Sequence, residues 1–196
     1  MAGTGATPFS LEGERVRVTP VTPADAADLR DFHRRNRQHL RPWMPPTAAD
    51  FETIGYWRRW TAAAPGLHAA DSAVRLVVRG KAAPEGPLLG QINLSNIVRG
   101  AFQAAHLGYH LDGESEGQGL MSEALRLVVD HAFGPLGLHR LMANYVVGNT
   151  RSAKVLARLG FRIEGVAKAY LFVDGAWRDH VLTALVDPAG RPAPAP

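Results

Sequence analysis

The stretch Glu116-Gly117-Gln118-Gly119-Leu120-Met121-Ser122-Glu123-Ala124 decides the fold of this chain. Two glycines sit in a short polar loop. The loop runs directly into a segment where Leu125, Val128, Val129, Ala132 and Phe133 recur at helical spacing. Such a junction points several backbone N–H groups at one spot, with the positive end of the helix dipole behind them. That spot suits a phosphate or pyrophosphate. Gly117 and Gly119 let the backbone approach a ligand with no side chain in the way. The same glycines also make an ordinary turn, so the meaning of the loop depends on its surroundings.

On either side of the loop the pattern is regular. Ala104–Leu111 predicts a strand leading into the loop. Gly134-Pro135 ends the helix behind it, and Arg140–Val147 predicts the next strand. A second helix starts near Thr150 and stops at Gly160, with Val155, Leu156 and Leu159 as its buried stripe. Ser152 falls on the inward side of its first turn. Upstream, Arg15–Thr19 alternates like a strand. Thr22-Pro23-Ala24-Asp25 then reads as a helix start, Thr as N-cap and Pro at the first position, for a helix reaching about Gln38. Leu40-Arg41-Pro42-Trp43-Met44-Pro45-Pro46 breaks that helix, and another covers roughly Asp50–Ala63. Ala73–Arg79 and Leu88–Ser95 follow as strands joined by a Gly/Pro-rich turn. Strands near Ala169–Val173 and Trp177–Val186 close the chain around the hairpin turn Asp174-Gly175. The expected fold class is α/β (α+β): one domain over residues 14–187, with a central mixed, mostly antiparallel sheet of about seven strands flanked by about four helices. Residues 1–13 are expected to be a flexible leader, and the Pro/Ala-rich residues 188–196 a disordered tail.

Composition narrows the function. The 196 residues are 46% hydrophobic and 20% charged, ordinary for a soluble domain. No apolar run is long enough to span a membrane, and the first residues lack the basic and apolar parts of a secretory signal. A cytoplasmic protein without a membrane partner is expected. The absence of cysteine excludes disulfides, thiol catalysis and zinc–thiolate sites. The eight histidines show no metal-ligand spacing, so no metal is expected. A net charge of +4 favours polyanions such as coenzymes or RNA. Arg34, Arg35 and Arg37 form the only dense basic group. Asp25, Asp28 and Asp31 share that segment, which reads as a solvated helix and not as a DNA-binding surface.

These motifs together resemble a known family. Glu116–Met121 running into Ser122-Glu123-Ala124-Leu125 resembles the coenzyme-A pyrophosphate loop of GNAT N-acetyltransferases. Asn149-Thr150-Arg151-Ser152, ending at Leu159-Gly160-Phe161 and Glu164-Gly165, resembles their Asn-x-x-Ser…Leu-Gly-Phe…Glu-Gly segment. Asp174-Gly175-Ala176-Trp177-Arg178-Asp179-His180 resembles the closing hairpin of the ribosomal-protein-alanine N-acetyltransferases. Three segments are similar to the RimJ-like members: Asn93–Gly100, His139–Tyr145 and Leu156–Phe161. The resemblance extends from Glu14 to Asp187. It implies the GNAT acyl-CoA N-acyltransferase fold, with acetyl-CoA as cosubstrate. It also implies a coenzyme site made by Leu107, Gly108 and Tyr109, by Glu116, Gly117, Gln118, Gly119, Leu120, Met121 and Ser122, and by Asn144, Asn149, Arg151 and Ser152. Ser152 would hydrogen-bond the leaving thiolate, with Tyr170 or Tyr145 as further candidates. Asn149 would bond the pantetheine arm, cap the helix, or do both. Trp43 either walls a peptide slot or plugs the core under its loop. Asn93 and His110 are the other acceptor-side candidates.

Two positions depart from the family pattern. Glu116 stands where the family usually has Gln or Arg, and a solvent-screened carboxylate beside a pyrophosphate costs about 1 kcal/mol. Val147 stands where Pro is common and should loosen the start of the helix only slightly.

The implied chemistry is direct acyl transfer: a neutral amine attacks the thioester carbonyl and a thiolate leaves. An α-amino group titrates near 7.7–8.0 and a lysine near 10.4. Reaching the neutral amine at pH 7 therefore costs about 1 kcal/mol for the first and over ~4 kcal/mol for the second. No residue stands out as a strong base; Glu123, Asp179 and His180 all have structural readings. The expectation is acetylation of a protein's N-terminal α-amine, that of a ribosomal protein starting with Ala or Ser, by a monomer or homodimer. A small-amine acetyltransferase, and a non-catalytic acyl-CoA-binding or ribosome-assembly factor, are the alternatives.

Overall fold

The computed structural model describes residues 9–190. Nine strands form a single sheet in the order β1-β2-β3-β4-β5-β6-β9-β7, and β8 pairs with β9. They are β1 (Leu11–Glu12), β2 (Val16–Pro20), β3 (Val74–Gly80), β4 (Gly90–Val98), β5 (Ala104–Leu111), β6 (Arg140–Met142), β7 (Tyr145–Val146), β8 (Arg162–Val173) and β9 (Ala176–Val186). Every pairing is antiparallel except that of β5 with β6. Six α-helical segments flank the sheet among the described residues: α1 (Ala26–Arg35), α2 (Arg37–Leu40), α3 (Ile54–Ala62), α4 (Ala64–Ala69), α5 (Leu120–Phe133) and α6 (Thr150–Arg158).

Period-two alternation assigns the two faces of the sheet. Val74, Leu76 and Val78 of β3 join the stripe Leu125, Val128, Val129 and Ala132 of α5 in the larger core. Val77, on the opposite face of β3, packs with Leu29 and Phe32 of α1 and Trp57 of α3 in the smaller one. Thr22 opens the first helical segment. Its N–H and hydroxyl both donate to Asp25 Oδ2 at 2.8 Å, and Pro23 stands at the first position of a 3₁₀ turn that α1 continues.

The fold departs from the sequence expectation in four places. Arg140–Val147 is two strands: β6 lies between β5 and β9, and after Met142 the chain leaves β5 but stays beside β9, pairing with it again in the same register from Tyr145. β8 begins at Arg162, because its ladder to β9 continues on both sides of a bulge near Ala169, whose φ is 48°. α4 forms despite Pro65 and Gly66, since Pro in a first turn forfeits no helical hydrogen bond. In the expected leader, residues 1–8 lie outside the described residues, while 9–13 pack on the domain: Leu11 and Glu12 pair with Val18 and Arg17, and Phe9 stacks on His131. Of the expected tail, residues 191–196 lie outside the described residues.

No helix among the described residues is long and apolar enough to cross a membrane.

Candidate active site

A break in the sheet makes the site. β5 and β6 pair over only three positions, ending at His106 opposite Met142. Beyond that, Leu107–Leu111 have no ladder partner on the β6 side, and the strands part. The gap is a cleft. One half is lined by Leu107, Gly108, Tyr145, His180 and their neighbours, and the other by Leu111, Met121, Arg151 and Val155 among others. Trp43, Tyr109, His110, Asn149 and Ser152 line both halves. Gly108 meets no atom within 4 Å of where a Cβ would stand, so the cleft passes freely over the strand there.

The glycine loop stands at the end of this cleft. Gly117 and Gly119 take φ of 75° and 77°, which side-chain-bearing residues rarely adopt. The first helical bond of α5 runs from Glu123 N–H to Gly119 O. The N–H groups of residues 120–122 therefore precede the ladder and point out of the helix end. Arg15 braces the loop from β2's side. Its Nη1 donates to Gln118 O at 2.9 Å and its Nε to Glu123 at 3.0 Å. The Glu123 carboxylate also accepts from the backbone N–H groups of Arg15 at 2.7 Å and Val16 at 3.2 Å. Burial pushes the Glu123 carboxyl upward, but these donors outweigh it and hold the group below its ordinary value. Glu123 is thus a clamp, occupied away from the cleft.

Ser152 and Tyr109 meet inside the cleft. Their hydroxyl oxygens lie 2.6 Å apart, and the phenol also reaches the Ser152 carbonyl oxygen at 3.4 Å. Burial, only partly offset by the Ser152 bond, pushes the phenol up to about 12. Tyr109 therefore keeps its proton at neutral pH and is available as a donor. Asn149 caps α6, accepting from Ser152 N–H at 3.1 Å, and this fixes the serine at the helix start. Tyr170 stands elsewhere: its hydroxyl accepts from Asn144 Nδ2 at 3.3 Å and does not touch Ser152. Asn144 itself lines the cleft. Trp43 stands in the cleft wall and is only partly buried. His110 lines both halves. Its Nδ1 is buried without a partner, and burial, with His33 and His39 nearby, lowers its pKa to about 4. Asn93 sits one strand behind, opposite Gly108 in the β4–β5 ladder, and is outside the cleft lining.

Glu116 does not face the loop alone. Arg151 Nε lies 3.0 Å from one carboxylate oxygen and His39 Nε2 3.3 Å from the other. Its charge is paired across the mouth of the cleft, which offsets the penalty expected from sequence. Val147 donates its N–H to Asp179 O at 3.0 Å, a bond that Pro at this position would lack. Asp179 is itself held by Lys168 at 2.7 Å and Ala169 N–H at 2.9 Å. Glu116 is accordingly the one carboxylate lining the cleft among the described residues. Arg15 and His39 escaped sequence reading. Each acts on the loop from more than seventy residues away, and no local pattern announces such a contact.

A loop at the start of α5, a splayed pair of parallel strands and a serine capped at the start of α6 define an acyl-CoA-dependent acyltransferase. The model of the acetyltransferase (GNAT) domain matches residues 15–162, and the chain belongs to that family. Among its relatives, the [ribosomal protein uS5]-alanine N-acetyltransferase of Escherichia coli is 40% identical over 183 residues, covering 93% of each chain. The ribosomal-protein-S5-alanine acetyltransferase of Vibrio fischeri superposes with a TM-score of 0.88 at 40% identity, over 94% of this chain and 100% of that one. Mycobacterium smegmatis RimJ, solved in complex with CoA-disulfide, superposes with a TM-score of 0.84 at 31% identity, over 97% and 92% of the two chains. Acetyl-CoA is the cosubstrate of the family, and the cleft and glycine loop fit it. Among the described residues, no group of three or more His, Asp or Glu is arranged to hold a metal ion.

Proposed function

We propose that this chain transfers the acetyl group of acetyl-CoA to the N-terminal α-amine of a protein in the cytoplasm, a ribosomal protein starting with Ala or Ser. The observation that carries this reading is the Ser152–Tyr109 pair, 2.6 Å apart, in a cleft that lacks a free carboxylate base. Similarity to the E. coli and V. fischeri enzymes supports the choice of acceptor.

In this reading the N–H groups of Gly117, Gln118, Gly119, Leu120, Met121 and Ser122 hold the pyrophosphate. The pantetheine arm runs along the unpaired edge of Leu107–Tyr109 and past Asn144 and Asn149, with Arg151 at the mouth. This places the thioester near Ser152. Tyr109 donates its hydrogen to Ser152 Oγ, so the serine's own hydrogen is free for the departing sulfur. That bond strengthens as negative charge develops. The acceptor amine arrives past Trp43 and His110. A nearly neutral imidazole does not capture a proton from an ammonium at pH 7, so His110 orients the amine and does not deprotonate it. The amine loses its proton to solvent, which is affordable for an α-amine and not for a lysine.

The test is thiol release from acetyl-CoA with three acceptors: a peptide with a free N-terminal Ala, a polyamine, and buffer alone. Turnover with the peptide is expected. Turnover only with the polyamine would place the chain among small-amine acetyltransferases, and none with either would remove the enzymatic reading.

A further inference from the structure

Acetyl transfer to an amine releases a second proton. When a neutral primary amine attacks the thioester, its nitrogen carries two hydrogens and a positive charge in the tetrahedral intermediate. The product amide keeps one hydrogen. Until the other leaves, the intermediate collapses back by expelling the amine. Ser152 serves the sulfur, and Glu116 and Glu123 are taken up by their ion pairs. The proton needs a lone pair on the side from which the amine arrives.

The sheet decides which groups stand there. On β5, Leu107 and Tyr109 pack on the core beneath α5. Gly108 and His110 take the opposite face, where the His110 ring lies 5.8 Å from that of His33 in α1. On β9, Val181 lies opposite Tyr145 of β7, which packs on that same core, so His180 also takes the α1 face. One half of the cleft is therefore lined from two sides. Tyr109, Ser152 and Leu156 come from one, and Gly108, His110 and His180 from the other.

The two histidines differ in what their rings offer. His110 Nδ1 is buried without a partner. His180 Nδ1 lies 3.0 Å from Arg178 O. A carbonyl oxygen only accepts, so Nδ1 carries the hydrogen, and Nε2 of the neutral ring carries the lone pair. That Nε2 has no hydrogen-bond partner among the described residues, and it is not sealed from solvent as Nδ1 of His106 and of His110 are. The Tyr170 ring packs beside the imidazole at 5.3 Å. Asp179, the preceding residue, is held below its ordinary value by the Lys168 bond, the Ala169 N–H and the charge of His180. Its carboxylate in turn favours the imidazolium.

We infer that His180 is the proton acceptor for the tetrahedral intermediate, a role that rests on the α-amine reading above. The amine's lone pair forms the N–C bond. The C–S bond breaks, and its electron pair leaves on the thiolate that Ser152 bonds. One N–H proton passes to His180 Nε2, and the imidazolium returns it to solvent. His110 orients the amine and His180 takes its proton.

The experiment measures single-turnover thiol release from acetyl-CoA, with a peptide that begins with a free Ala, for the wild-type chain, His180→Asn and His180→Ala. Asn keeps an N–H donor for Arg178 O and lacks a basic nitrogen. Both variants should slow the chemical step about 100-fold, with the acetyl-CoA Kd within about twofold of wild type. Imidazole added to His180→Ala should raise its rate at least about tenfold, and more basic imidazoles should raise it further. A structural role produces no such order. In the wild-type chain, long-range proton–nitrogen NMR should show the Nδ1–H tautomer of His180, a measurement that needs no variant. A rate for His180→Asn within about threefold of wild type would overturn the assignment and leave the α-amine reading standing. So would a loss that imidazoles restore equally or not at all, or an Nε2–H tautomer in the wild-type chain. Failure of the wild-type chain to acetylate the peptide would bring down both.

Discussion

Replacing Ser152 and Tyr109 singly and together tests the reaction centre. Ser152→Ala removes the hydroxyl that lies 2.6 Å from Tyr109 but leaves the phenol the Ser152 carbonyl oxygen, 3.4 Å away. The cost to folding is therefore small. A hydrogen bond to a developing thiolate is worth about 1.5–3 kcal/mol, so kcat should fall about 10- to 150-fold. Tyr109→Phe removes a neutral partner worth about 0.5–1.5 kcal/mol and should cost about 2- to 13-fold. If Tyr109 acts through Ser152, the double variant should be no slower than Ser152→Ala, because the second loss removes nothing further. Single-turnover thiol release with an N-terminal Ala peptide reads the chemical step, and calorimetry reads the acetyl-CoA Kd, expected within about twofold of wild type. Retention of more than half the wild-type rate by Ser152→Ala would refute the assignment. A double variant whose loss is the product of the two single losses would refute the coupling.

Gly119→Val forces a branched side chain into a φ of 77° and should raise the acetyl-CoA Kd at least about tenfold, with circular dichroism unchanged. Glu116→Gln frees Arg151 and His39 from their carboxylate and should tighten acetyl-CoA by about two- to fivefold in calorimetry. Glu123→Ala strands the N–H groups of Arg15 and Val16 and should lower unfolding free energy by about 2–3 kcal/mol in urea titration. His33 and His110 are both held near 4, chiefly by burial, against 6.5 when exposed. The unfolded chain therefore binds more protons between pH 6.5 and 4, and stability should fall on acidification through that window by up to about 1.4 kcal/mol per pH unit for each histidine. His33→Gln should flatten that slope in pH-resolved thermal melts.

The local features were legible because local patterning encodes them. β5 occupies Ala104–Leu111 as the sequence predicts, and all five apolar residues named for the stripe of α5 are buried, joined by Leu120, Met121, Ala124 and His131. What sequence could not give is who meets whom across the fold. The single extended run Arg140–Val147 hides the point after Met142 where β5 is lost while the ladder to β9 goes on in the same register, because both stretches use the same extended backbone. Tyr109 was expected at the coenzyme and Tyr170 at the chemistry. It is Tyr109, from a strand 43 residues before Ser152, that touches the serine, while Tyr170 turns to Asn144. Glu123 reads as a solvated helix residue until Arg15, 108 residues away, arrives to clamp it.

The central claim is tested most directly by the position of the acetyl group. The chain is incubated with acetyl-CoA and a peptide that has a free N-terminal Ala and one internal Lys, across pH 6 to 9, and the product is sequenced by tandem mass spectrometry. The α-amine alone should be acetylated, at a rate that rises with pH and levels off near pH 8, where that amine becomes neutral. Acetylation mainly on the Lys side chain, or a rate still climbing at pH 9, would contradict the account.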